Sequence, residues 1–250
     1  MLDAPREIFI FLAAFARIGT MLMMFPVFGE MSVTPRVRLA MALAITAILM
    51  PTVHGLYPTF PADVAGLVKV IFCEVFVGVL LGSAVRLFAT ALQIAGNVMS
   101  FQIGLSFAQS FDPTQGIQGA LLGTFLSLAG VTLIVATDLH YLLLEGLVGS
   151  YKIFAPGILP PLGDSSAYML KVAADTFTLG VQMCTPFLVF GLVFYLGMGV
   201  LAKLMPQLQI FFIAMPANIL LGLAFFMVLV GAMMSWYLGA FDAQVRPLAG

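Results

Sequence analysis

The chain has 250 residues, of which 62% are hydrophobic and 8% are charged. A soluble globular protein carries about 25% charged residues, so this composition excludes a protein with an ordinary water-compatible surface. The formal net charge of −1, without a basic patch or an acidic tail, argues against a nucleic-acid partner.

Apolar runs separated by proline and glycine turn signals predict an all-α, polytopic, membrane-associated protein. The runs cover residues 8–28, 39–57, 64–85, 87–111, 117–136, 139–154, 169–201 and 210–241. The N-terminus lacks the positive segment of a cleavable signal, so we expect the first run to stay attached. Basic residues do not alternate cleanly between successive loops, and the sequence therefore predicts no definite membrane topology.

The polar connection PGILPPLGDSS at residues 156–166 is the best candidate boundary in the chain. It divides residues 1–165, with five or six helices, from residues 166–250, which read as one long helical hairpin. The hairpin turns at residues 203–209, where Pro206 stops the incoming helix. Small residues spaced by four, at Gly78 with Gly82 and at Gly119 with Gly123, predict close helix packing.

Several charged residues lie inside the apolar runs, where an ionised group costs a few kcal/mol or more unless it is paired or hydrated. They are Arg17, Lys69, Glu74, Lys171 and Asp175. Lys171 and Asp175 are spaced to pair on one helix face, whereas Glu74 lies at a poor angle to Lys69 and is expected to seek a partner on another chain. A proton relay is the alternative, but structural pairing is favoured because the chain shows no aligned row of carboxylates or histidines.

The segment at residues 96–123 combines an apolar run with a polar helix face and a break. Gln102, Ser106 and Gln109 recur at helical spacing, with Ser110 beside them. Pro113 disfavours a helical conformation at Asp112, and the same two residues can begin a new helix, with Gln115 completing a capping box. A non-helical turn at membrane depth is tolerated only where protein buries it or where it lines a cavity. Residues 107–116 are therefore a candidate pore constriction, and a plain loop between two membrane helices is the alternative.

Motifs that carry catalytic chemistry are missing from the sequence. The chain has no GxxxxGK[ST], HExxH or GxSxG pattern, so we predict a non-enzymatic protein without a cofactor. Cys73 and Cys184 lie in apolar runs and read as small buried hydrophobes, with nothing to indicate a disulfide or a metal site. Asp138 and His140 near a helix end are a candidate functional pair, but packing is the favoured role of the histidine.

Three motifs in order resemble the FliR family of the flagellar type III export gate and, more distantly, its virulence-secretion counterparts. The first is Arg17-Ile18 followed by FPVFGEMSVTPRVRLAMALAI, the second is MSFQIGLSFAQSFDPTQG, and the third is LMPQLQIFF followed by Pro216 and Gly222. The resemblance covers about nine-tenths of the chain. Many family members have Asn-Gly-His where this chain has Asp138-Leu139-His140, which puts a special role for the tripeptide in doubt.

The resemblance implies a single-copy subunit that assembles with FliP-like and FliQ-like chains, with residues 1–165 FliP-like and residues 166–250 FliQ-like. It implies that the central loop is part of the plug that closes the pore, at Ser106, Phe107, Gln109, Ser110, Phe111, Asp112, Pro113, Thr114, Gln115 and Gly116. The resemblance also implies an FlhB-like subunit that wraps the cytoplasmic entrance, with the hairpin turn as a candidate contact for it. Expected assembly residues are Arg17, Arg36, Arg38, Glu74, Lys203, Pro206, Gln207 and Gln209.

We therefore predict a subunit of the flagellar export gate, located in the bacterial inner membrane at the flagellar basal body. It would pass unfolded exported proteins. An injectisome homologue with different cargo is the nearest alternative. A stand-alone transporter or channel for a small solute is a second one, and it would call for convergent charged groups that the sequence lacks. An intramembrane enzyme comes third and lacks a catalytic constellation.

Overall fold

The structure is a computed structural model that describes residues 4–29, 33–58, 60–61, 63–106, 121–205 and 210–249. Within these ranges it is helical and contains no strand, which confirms the all-α prediction. A short 3₁₀ turn at His54–Leu56 follows the second helix. The helices are α1 (Ala4–Met24), α2 (Pro35–Val53), α3 (Val64–Ala89), α4 (Ala91–Ile103), α5 (Leu121–Ala136), α6 (Leu139–Ile153), α7 (Leu162–Leu204) and α8 (Ile210–Ala249).

Five helical segments in the described part of the chain are long and apolar enough to cross a membrane, or six if the bent pair α5 and α6 forms one span. These segments confirm the polytopic membrane character that the composition predicts. α7 and α8 contain 43 and 40 residues. Helices of this length extend over roughly 60 Å, about twice the thickness of a hydrocarbon core.

The helix that leads to the candidate constriction differs from its predicted form in two ways. α3 and α4 follow each other as one apolar helical segment, Val64–Ile103, because Thr90 between them keeps a helical backbone. α4 then ends at Ile103, whereas an unbroken helix was expected up to residue 111. The cause is Gly104, which adopts a left-handed conformation with φ 87° and ends the helix as glycine commonly does.

α5 and α6 meet at an angle of 78°. Asp138 lies at the bend with φ 61°, a left-handed conformation that Asp and Asn tolerate better than most residues with a Cβ. Its side chain makes no capping hydrogen bond, and its carbonyl accepts the Tyr141 N–H at 3.0 Å. The His140 ring packs on the neighbouring Tyr141 ring with centroids 4.2 Å apart, consistent with the packing role predicted for the histidine.

One packing unit comprises the described parts of Met1–Phe88, Val131–Ala174 and Ala240–Gly250. Its helices approach each other at glycines. A Cβ at Gly78 would lie 2.7 Å from the Arg17 carbonyl oxygen, and one at Gly82 would lie 2.9 Å from the Met24 Cβ. Since real Cβ atoms do not approach other heavy atoms so closely, α1 and α3 need these glycines, as their four-residue spacing predicts.

The second packing unit comprises the described parts of Ala89–Gly130 and Asp175–Gly239. Phenylalanines fill part of its core, where the Phe187 ring lies 5.2 Å from Phe225 and 6.3 Å from Phe226. Both units draw on separate stretches of the chain, so they do not coincide with the predicted regions 1–165 and 166–250. That division concerns likeness to other proteins, and it stays a prediction.

Candidate functional site

A fully buried ion pair lies in the first packing unit, between Arg17 on α1 and Glu74 on α3. Arg17 Nε lies 2.7 Å from Glu74 Oε2, and Arg17 Nη2 donates a hydrogen bond to Glu74 Oε1 at 3.1 Å. Both side chains have no exposed surface. Removing such charges from water costs several kcal/mol per ion, which only close pairing and further hydrogen bonds can offset.

The guanidinium of Arg17 has additional partners besides Glu74. Its Nη1 donates to the carbonyl oxygens of Ser150 at 3.3 Å and Phe154 at 2.9 Å, which belong to the last turn of α6 and to the residue that follows it. Its Cζ lies 4.3 Å from the centroid of the Tyr151 ring, a cation–π distance. Arg17 thereby joins α1 to both α3 and the end of α6.

The Glu74 carboxylate also accepts hydrogen bonds from two other parts of the chain. The Tyr57 hydroxyl donates to Oε2 at 3.1 Å, and the backbone N–H of Gly157 donates to Oε1 at 2.9 Å. Burial raises the pKa of Tyr57, so its hydroxyl stays protonated and remains a donor. Gly157 has φ 73°, a conformation that glycine adopts readily and that points its N–H at the carboxylate. We call Arg17, Glu74, Tyr57, Tyr151 and Gly157 the charge network.

The second arrangement of interest is the C-terminal turn of α4, directly before the candidate constriction. Asn218 of α8 is buried, and its Nδ2 donates to the carbonyl oxygen of Gln102 at 3.1 Å. The last carbonyls of a helix lack intrahelical donors, so Asn218 acts as a cap supplied by another helix. We call Gln102, Ile103, Gly104 and Asn218 the α4 end.

The sequence matches the family model described as bacterial export proteins, family 1, over residues 8–244. The chain belongs to the bacterial export proteins, family 1. It is 39% identical over 231 residues to the flagellar biosynthetic protein FliR of Caulobacter vibrioides, covering 92% of each chain. It is 30% identical to FliR of Bacillus subtilis, covering 88% of this chain and 85% of the relative, and 26% identical to FliR of Escherichia coli, covering 80% and 76%. The predicted likeness to the FliR family is confirmed.

The constriction predicted in this export protein falls almost wholly outside the described residues. Ser106 is the last described residue before it and is half-buried, and residues 107–116 lie outside the described ranges. The role of the segment therefore stays a prediction. Within the described chain, no group of three His, Cys, Asp or Glu side chains is arranged to hold a metal ion.

The residues predicted for assembly of this export protein divide into two sets. Arg36 and Lys203 are exposed, and Arg38 is half-exposed with its Nε donating to the Val33 carbonyl at 2.9 Å, so these side chains remain available to a partner. Pro206, Gln207 and Gln209 lie outside the described ranges.

Arg17 and Glu74 require a correction. Glu74 was expected to seek a partner on another chain, but its partner is Arg17 of the same chain, and both side chains are enclosed completely. The two residues are 57 positions apart, so helical spacing could not reveal the pair. Lys171 and Asp175 have the right spacing but are exposed and form no ion pair, since pairing on a surface gains little.

The residues that sequence reasoning missed in this family member are Tyr57, Tyr151, Gly157 and Asn218. A weak signal existed for Asn218, which is an amide inside the long apolar run at residues 210–241. The tyrosines and Gly157 gave no signal, because their importance comes from contact with Glu74 and Arg17.

Proposed function

We propose that this chain is a subunit of the flagellar type III export gate, in which it helps to form and close the pore for unfolded flagellar proteins. The observation that carries this proposal is the match to the bacterial export family across residues 8–244, together with FliR relatives of up to 39% identity. The flagellar names of the relatives compared favour this assignment over an injectisome homologue.

The proposed closing element is the segment at residues 107–116. Its support is the position of Gly104, where α4 stops and the backbone turns left-handed three residues before the segment begins. Phe107 and Phe111 are four residues apart and supply apolar bulk to the closed constriction. Asp112 and Pro113 define where the segment ends, and Gly116 gives it freedom to move.

The proposed assembly contains one copy of this chain with FliP-like and FliQ-like subunits, in the bacterial inner membrane at the flagellar basal body. Residues 1–165 take the FliP-like part and residues 166–250 the FliQ-like part. The exposed Lys203 in the last turn of α7 places a positive charge at the hairpin turn, which supports a contact there with an FlhB-like subunit. We expect no catalysis by the chain itself, because its proposed role is to form and close part of a pore.

The test is ion leakage through an assembled gate. The chain is expressed with its neighbouring genes, and native mass spectrometry measures its copy number, which we expect to be one in a hetero-oligomer. Variant F107A/F111A is compared with F72A, in which an exposed phenylalanine of α3 receives the same truncation. We expect increased small-ion leakage from F107A/F111A alone.

Either measurement can contradict the proposal. An equally tight gate with F107A/F111A would refute the plug. A stable monomer or homo-oligomer without partners would refute the gate assignment and favour the stand-alone transporter.

A further inference from the structure

Two amide side chains lie side by side on the surface of α4, within an apolar helical segment. Gln93 and Asn97 are four residues apart, and Gln93 Nε2 donates a hydrogen bond to Asn97 Oδ1 at 3.4 Å. We call these two residues the amide pair. Asn97 is exposed and Gln93 is half-buried. Both belong to the segment Val64–Ile103, and lipid tails offer no hydrogen-bond partners to amides. The amide pair therefore faces water or another protein chain.

Residues of α5 fix the orientation of the two amides. The Ser127 hydroxyl donates to Gln93 Oε1 at 3.1 Å, so the carbonyl oxygens of both amides already accept a hydrogen bond. A Cβ at Gly123 would lie 2.8 Å from Gln93 Nε2 and 2.9 Å from Asn97 Oδ1. The lack of a side chain at Gly123 thus leaves room for the amide pair beside α5.

The groups that the amide pair presents outward are hydrogen-bond donors. A primary amide carries two N–H groups. One N–H of Gln93 is used within the pair, and no described residue accepts a hydrogen bond from the Asn97 Nδ2 group. The pair thus offers uncharged donors, which fit a ligand with a row of uncharged acceptors such as carbonyl oxygens.

The spacing of these donors matches an extended polypeptide. Residues four apart on a helix are separated by about 6 Å along its axis. The carbonyl groups on one edge of an extended chain recur at every second residue, or about 6.4–6.8 Å. An α-helix of a neighbouring subunit offers no such row, because its carbonyls are bonded within the helix. Main-chain carbonyls are also present in every sequence, as a site for unfolded proteins of different sequence requires.

We propose that the amide pair is a substrate-contact site, where Gln93 and Asn97 donate hydrogen bonds to carbonyl oxygens along one edge of an unfolded polypeptide during export. Ser127 and Gly123 are positioning residues that hold the amides with their N–H groups outward. The inference rests on the proposed function, since it needs an export path along this face of α4. Neutral hydrogen bonds of this kind have a small net strength, so they can be exchanged as the chain advances.

The first test identifies what lies against the amide pair in a working gate. A photoreactive amino acid replaces Thr124, an exposed residue of α5 next to Gly123, in cells that carry the complete flagellar export genes. The probe is the flagellar filament protein of those cells, fused at its C-terminus to a domain that does not unfold, so that it stalls in the gate. We expect adducts between residue 124 and the stalled protein.

The control position is Gln182, an exposed amide on α7. It lies two residues, or about 200° around the helix, from Gly180, where a Cβ would lie 3.0 Å from Ile94 of α4. Gln182 therefore faces away from α4, and a photoreactive residue there should give no adduct with the stalled protein.

The second test removes the donors of Asn97 with little change of shape. In N97D the carboxylate can still accept the Gln93 hydrogen bond but donates none. Loss of one net hydrogen bond shifts a binding equilibrium by about 2- to 12-fold, so the yield of adducts from residue 124 per assembled gate should fall by about that factor. Q182E introduces the same charge at the control amide and should leave the yield unchanged. N97Q keeps the donors and should retain most of the yield.

The outcomes separate this inference from the proposed function. If no stalled protein is retained by a hetero-oligomer that contains this chain, the proposed function is refuted, and the contact site with it. Retained protein without adducts from residue 124 would refute the contact site alone, and this result does not depend on N97D. Adducts of residue 124 with another gate subunit, formed equally without the stalled protein, would show an assembly contact instead. An equal loss of yield in N97D and Q182E would also refute the contact site.

Discussion

The charge network and the α4 end hold buried polar groups in different ways within the same apolar chain. In the network, Arg17 and Glu74 are fully buried and receive partners from α1, α3, α6 and the residues that follow α6. At the α4 end, a single interhelical hydrogen bond from Asn218 accompanies glycine contacts, and one amide oxygen has no described partner. The network holds two enclosed charges with hydrogen bonds from several parts of the chain, whereas the α4 end depends on one neutral hydrogen bond. We therefore expect substitutions in the charge network to destabilise the protein more than substitutions at the α4 end.

The largest expected effect comes from breaking the charge network. R17L leaves Glu74 buried without its counter-charge, and we expect a loss of about 3–5 kcal/mol in stability, seen as a lower unfolding temperature of the detergent-extracted gate or as failed assembly. The double variant R17L/E74L removes both charges and should recover most of that loss. If the double variant is no more stable than R17L, the pair is not the origin of the effect.

A smaller effect is expected at the helix contact beside the network. G78A would place a Cβ 2.7 Å from the Arg17 carbonyl oxygen, which is backbone and can yield only if α1 moves. Overpacking of this kind costs about 1–3 kcal/mol, measured as reduced thermal stability of the assembled complex. G197A is the control, because nothing lies within 4 Å of a Cβ at Gly197 and alanine favours a helix. Equal destabilisation by both variants would contradict the close packing of α1 and α3.

The smallest expected effect tests whether the turn after α1 contains backbone strain. Val27 has φ 78° in the turn after α1, a conformation that costs a residue with a Cβ roughly 1–2 kcal/mol. V27G should therefore raise the unfolding temperature slightly, although the greater freedom of glycine in the unfolded chain offsets part of the gain. V33G, at a described valine without a positive φ, should give no gain. A lower stability of V27G would mean that the valine side chain contributes more than its backbone conformation costs.

Sequence reasoning predicted the features that depend on local pattern, namely the apolar helices, the family and the glycine contacts of α1 with α3. It failed where the structure depends on contacts between residues far apart in the sequence or on the backbone conformation of a single residue. Glu74 pairs with a residue 57 positions away, and Gly104 ends α4 although Asp112-Pro113 gives the stronger local signal. The importance of Asn218 depends on a helix end 116 positions earlier in the chain, which no periodicity can indicate.

The bend at Asp138 affects whether the two ends of the chain lie on the same side of the membrane. α5 and α6 contain 16 and 15 residues, and each extends only about 22–24 Å, less than a hydrocarbon core of roughly 30 Å. If the bent pair traverses the bilayer once, the described helices cross six times and return the C-terminus to the side of the N-terminus. If the pair enters and leaves on one face, five crossings remain and the two ends face different compartments. Among the described helices, an odd or even number of crossings thus depends on a bend of two residues, and reporters fused to both ends would test it.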